Sequence, residues 1–139
     1  MRTTNVGFLL AKASQRFNEL LVERFEARGF PEVRPSYGSV LVPLFDGQPL
    51  RLGEIARQAR LSKQAMTGLV RLCEQDGLVR REPDPDDGRA FRISLTERGL
   101  QLKQVAEQEL ADLDRALVAA LGERKRDALI EALKGVMDL

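Results

Sequence analysis

Residues 52–76 read LGEIARQARLSKQAMTGLVRLCEQD, two short helices separated by one break at Arg60-Leu61. Leu52, Ile55, Ala59, Leu61, Met66 and Leu69 supply apolar side chains at the offsets that lock two helices at a steep angle. Ala56 is small where the helices approach most closely. Ser62 stands at the N-cap of the second helix, and Gly77 closes it. With the apolar set and Leu72 and Cys73 turned inward, Ser62, Lys63, Gln64, Thr67, Gly68 and Arg71 point outward.

That outward set suits a DNA major groove. Lys63 and Arg71 can meet guanine acceptors or phosphates, Gln64 can pair with adenine, and Thr67 can touch a thymine methyl. Ser62 and the free amides of the helix start can hold a phosphate. The plain alternative is the solvated polar face of an ordinary helix, so the assignment needs a second feature.

The second feature follows at once. Leu78 to Glu82 and Ala90 to Leu95 read as strands, the second placing Phe91, Ile93 and Leu95 on one face. Pro83-Asp84-Pro85-Asp86-Asp87-Gly88 between them is a turn-forming run. A tight hairpin with Asp87-Gly88-Arg89 at its tip and Arg80, Arg81 and Arg92 on its strands makes a wing. Its Arg89 can reach a narrow minor groove, and Asp87 can hold that guanidinium by a bidentate pair. The alternative is a surface ion pair that contributes little. Asp84, Asp86 and Asp87 would repel phosphates, so some of these carboxylates must face away.

Outward from this centre, a long helix is expected from about Asn5 to Arg28, with Phe8, Leu9, Ala13, Phe17, Leu20, Leu21 and Phe25 on one face. A shorter helix follows Pro35-Ser36, and Pro43 should kink it or end it early. Thr96 caps a long C-terminal helix striped by Leu102, Val105, Leu110, Leu113, Leu117 and Leu121. It breaks at Gly122 before a last helix with Leu129, Ile130, Leu133, Val136 and Met137. The terminal stripes have no evident partner inside so small a domain, and a second copy of the chain would cover them.

Residues 50–99 resemble the MarR family of transcription regulators. The resemblance is carried by Leu61-Ser62-Lys63-Gln64-Ala65-Met66-Thr67, Gly77-Leu78-Val79-Arg80-Arg81, Asp84-Pro85-Asp86-Asp87-Gly88-Arg89, and Ile93-Ser94-Leu95-Thr96 with Gly99. It implies a mainly α fold with a small β-hairpin wing: one domain over residues 1–139, with dimerisation helices at about 5–34 and 100–139 and a winged helix-turn-helix at about 35–99. It also implies a homodimer with interlocked terminal helices, bound to palindromic double-stranded operators, commonly as a repressor and often relieved by a small ligand or an oxidant. Arg89 would enter the minor groove, Asp87 would orient it, and residues 62–71 would form the reading face. Several departures stand out. Gly68 replaces a residue that is often basic, Pro43 interrupts the second helix, and the first helix has no cysteine.

Composition limits the alternatives. The net charge of +1 does not announce a polyanion partner, so the case rests on where the basic residues sit. There is no His, and the one Cys, Cys73, falls on the inward helix face as a packed thiol. No nucleophile–base set, metal cluster or phosphate loop emerges, so no catalytic residue, metal or cofactor is expected and an enzyme is disfavoured. With no apolar run long enough to span a bilayer, a cytoplasmic protein with no membrane partner is expected. For an anionic aromatic ligand, Arg16, Tyr37 and Phe45 offer a cation near apolar rings, against the plainer view of Arg16 as an ion-paired surface residue. The rival functions are a winged-helix protein–protein module and a sequence-blind architectural DNA binder.

Overall fold

A computed structural model describes residues 4–139. Its internal contacts divide the chain into a first unit ending at Val105 and a second running from Ala106 to Leu139. The division falls inside one continuous helix.

In the first unit, α1 spans Val6–Ala27, with the Asn5 side chain accepting from the Phe8 N–H as N-cap. Only Phe25 of its apolar face is buried, while Val6, Phe8 and Leu9 are exposed. A 3-10 turn at Pro35–Tyr37 leads into α2, Gly38–Leu44. Pro43 lies in the last turn of α2 and the helix stops one residue later, as its missing N–H requires. Two further helices, α3 (Leu52–Ala59) and α4 (Lys63–Gln75), form the expected pair.

The break between them is made by Arg60, the one described non-glycine residue in the left-handed region (φ 57, ψ 40). The Leu61 N–H closes back onto the Ala56 carbonyl at 3.0 Å, the six-to-one bond that finishes a helix around such a residue. Ile55, Ala56, Met66, Val70 and Cys73 of α3 and α4 join Tyr37, Val40, Leu41 and Leu44 in the core. Each large apolar side chain enclosed there contributes about 2 kcal/mol.

The sheet has three antiparallel strands in the order β1-β3-β2: β1 Leu50–Arg51, β2 Val79–Asp84 and β3 Asp87–Leu95. The sequence reading missed β1, whose two residues pair with Ile93 and Arg92. It also placed the turn too widely. Asp84 pairs with Asp87, leaving Pro85-Asp86 as the tip, and the register slips between Pro83 and Asp84.

α5 (Glu97–Leu121) begins where Thr96 ties three segments together. Its hydroxyl donates to the Gly77 carbonyl at 2.6 Å and accepts from the Gly99 N–H at 3.1 Å, while its own N–H reaches the Leu78 carbonyl at 3.1 Å. Gly99 has to be glycine, because a Cβ there would lie 2.3 Å from the Leu78 carbonyl oxygen.

The second unit holds the remainder of α5 and α6, Glu123–Met137. Gly122, at φ 85, makes the corner. Arg126 braces it with ion pairs to Asp114 (2.5 Å) and Asp127 (2.9 Å). No residue of α6 is buried, and Leu129, Ile130, Leu133, Val136 and Met137 are all exposed. No helix of the described residues is long and apolar enough to cross a membrane.

Candidate nucleic-acid interface

The proposed reading edge begins at a capped helix end. Ser62 holds an extended backbone, and its hydroxyl accepts from the Ala65 N–H at 3.1 Å, satisfying one of the amides that the first turn of α4 leaves open. Ser62, Lys63, Gln64, Gly68 and Arg71 are exposed on one side of α4 and Thr67 is half-buried, while Met66, Val70 and Cys73 face the core. Leu61, expected inward with the apolar set, is exposed at the start of the turn into α4. Thr67 differs in one detail: its hydroxyl donates to the Lys63 carbonyl at 2.8 Å. That bond ties up its proton and leaves the methyl as its outward chemistry.

Gly68 has nothing within 4 Å of where a Cβ would stand, so no internal contact accounts for the glycine.

The wing needs two corrections. Asp87 does not grip the Arg89 guanidinium; its Oδ1 accepts from the Arg89 backbone N–H at 3.0 Å. A carboxylate two residues back reaches the near main-chain amide of this turn rather than the far end of a long side chain. Phe91 was expected on the covered face with Ile93 and Leu95, yet it is 55% exposed while Ile93 is buried. The hairpin projects past the core at that point, so the periodicity continues without anything to cover it.

The acidic tip resolves through a residue that the sequence reading overlooked. Asp84 is the one buried charged residue described. Its Oδ2 accepts from Arg51 Nε at 2.5 Å and its Oδ1 from the Asp86 N–H at 2.9 Å. The Asp86 amide and the Arg51 guanidinium hold its carboxyl below the ordinary carboxylate range. Asp84 is thus turned inward and neutralised from β1, and Asp86 and Asp87 remain exposed.

The wing arginines divide in the same way. Arg81 pairs with Glu74 at 3.3 Å, and Arg80 and Arg92 converge on Glu82 at 3.9 and 3.2 Å. Arg89 has no carboxylate partner among the described residues, and it is exposed beside the tip.

Cys73 is fully enclosed; burial, reinforced by the negative charge of Asp76, pushes its thiol up to about 12. It therefore remains a protonated packing group at neutral pH. The three residues considered for a ligand lie in different settings. Arg16 is exposed on α1 and pairs with Glu19 at 3.3 Å, and Phe45 is half-buried after α2. Tyr37 is wholly enclosed, with its hydroxyl donated to Asp76.

Comparison with known proteins agrees with this geometry. The sequence profile of the MarR family matches residues 44–90. The HTH-type transcriptional repressor YetL of Bacillus subtilis (strain 168) is 27% identical over 123 residues, spanning 86% of this chain and 71% of the relative. The crystal structure of a probable transcriptional regulator from Pseudomonas aeruginosa superposes with a TM-score of 0.80 at 25% identity, covering 96% of this chain and 97% of that one. The transcriptional repressor CouR, solved on a 23-mer DNA duplex, gives 0.80 at 25% identity, covering 96% and 92%.

Proposed function

We propose that this chain is a winged-helix transcription regulator of the MarR family and represses transcription by binding a palindromic operator as a homodimer. The observation that carries the proposal is the pairing of a capped, polar-faced α4 with an unpartnered Arg89 on a braced hairpin. In this reading Gln64, Thr67 and Arg71 meet base edges and Ser62 and Lys63 phosphates, while Arg89 enters the adjacent minor groove. Asp87 and Gly88 shape the backbone that presents it. The dimer sets two α4 helices one duplex turn apart. DNA-bound CouR supports the partner class. Release by a small anionic aromatic ligand is part of the proposal and rests on the likeness to that family.

The test is selection of bound fragments from genomic DNA, followed by salt titration of the best site against random duplex. Affinity should fall steeply with salt, and the selected site should win by at least about a thousandfold. Arg89→Ala should weaken both duplexes and lower the salt slope by about one. Equal affinity for site and random duplex would leave a sequence-blind DNA protein. No binding to either would leave a protein–protein module.

A further inference from the structure

Beside the reading helix lies an open cleft of about 570 Å³, walled by the first turns of α3, the start of α4 and the outer part of β3. We infer that this cleft seats the sugar–phosphate strand dividing the two DNA grooves, with Arg57 and Lys63 on its phosphates and Phe91 packed against deoxyribose. This rests on the DNA-binding reading above and adds two contacts: Arg57, which the sequence motif does not include, and Phe91, which the periodicity places on a covered face.

If α4 occupies a major groove and Arg89 the neighbouring minor groove, the strand between those grooves has to pass between them. Lys63 is the first residue of α4, and Phe91 follows Arg89 by two positions on β3. Both line the cleft, so it occupies that gap.

Charge points the same way. The Arg51 guanidinium is neutralised by Asp84, and Glu54 accepts from the Arg51 N–H at 3.1 Å, which occupies it at the start of α3. Arg57 and Lys63 have no carboxylate partner among the described residues, and an amide bond does not cancel a carboxylate, so the two cations stand against the one acidic side chain of Glu54 and the lining is net cationic. The Lys63 stem lies along α3, close enough that a Cβ at Gly53 would stand 3.2 Å from its Cε. Lys63 is exposed and lines the cleft.

The apolar part fits a sugar better than a base edge or bulk water. Phe91 stands 55% exposed over a floor that includes Leu52 and Leu61. Deoxyribose is the apolar surface that a duplex offers between consecutive phosphates. The Arg51–Asp84 pair joins β1 to the hairpin and fixes the spacing between the cationic wall and the ring.

The test uses the full chain, the selected duplex and a random duplex, each titrated with salt. Arg57→Ala should weaken both about tenfold and reduce the salt slope by about one. Phe91→Ala should weaken both severalfold with the slope unchanged, and Phe91→Leu should recover most of that loss. Both side chains are exposed, so the fold should survive, as circular dichroism would verify. If the wild type binds its site and both variants match it, the seat is overturned while the regulator reading stands. A changed base preference in Phe91→Ala would put the ring against a base and also overturn it. A wild type that binds neither duplex overturns the regulator reading and the seat together.

Discussion

Tyr37 connects the second helix to the far end of the reading helix. Its hydroxyl donates to Asp76 Oδ2 at 2.5 Å, and Asp76 is the C-cap of α4. Burial first, then the bond to Asp76 and its charge, pushes the phenol up to about 12. Folding thus favours the neutral phenol. The stabilisation is complete below the unfolded value of about 10 and is lost as pH rises from there through about 12. The chain has a single tyrosine, so tyrosinate absorbance reports this group alone. The native titration should centre near 12, and the urea-unfolded one near 10; a native midpoint near 10 would refute the enclosed bond. Cys73 is shifted in the same direction, so the difference between wild type and Tyr37→Phe isolates the tyrosine. That variant should also lose about 1–2 kcal/mol at neutral pH, since the Asp76 carboxyl loses its donor. The sequence showed Tyr37 only as an aromatic residue near a helix start. Its partner lies 39 positions away, and nothing local announces such a bond.

At the scale of elements, α4 carries a residue that weakens it. A glycine inside a helix costs about 0.5–1 kcal/mol relative to alanine, and Gly68 is neither at positive φ nor crowded. It shares the outward face with Gln64 and Arg71. Gly68→Ala should therefore raise the urea-unfolding free energy by about that amount, yet weaken operator binding severalfold by holding the helix backbone off the groove. Unchanged affinity would show that the backbone makes no such approach. The helices, their caps at Ser62 and Thr96, and the inward face of α4 were legible because they are local: spacing and capping chemistry write them into adjacent residues. The details of the wing were not. β1 is only two residues long and exists through its pairing with β3, while Asp84 is buried because Arg51, 33 positions earlier, neutralises it. Contacts of that range are set by the fold, so the hairpin turn was drawn too wide and Phe91 was assigned to a covered face.

At the scale of the whole molecule, the apolar surface left over by the monomer becomes the argument for assembly. Val6, Phe8 and Leu9 near the start of α1 and Leu129, Ile130, Leu133, Val136 and Met137 along α6 are exposed, although both helices are regular. Leu129, Ile130, Leu133, Val136 and Met137 recur at the three- and four-residue spacing of one helix face, the pattern that a partner covers. On the proposed operator-binding reading a second copy is the occupant, because two reading helices one duplex turn apart require a two-fold axis. Sedimentation at micromolar concentration should give twice the 15.6 kDa of the chain. Ile130→Asp with Leu133→Asp should shift it to the single-chain mass. Neither position is buried in the monomer, so helical content and the Tyr37 titration should be unaffected. Operator affinity should then fall to that of one half-site, with the salt slope about halved as the phosphate contacts are halved. If the double variant still sediments as a dimer, α6 is not the seam. If it is monomeric and binds the full operator undiminished, one copy suffices and the two-fold reading fails.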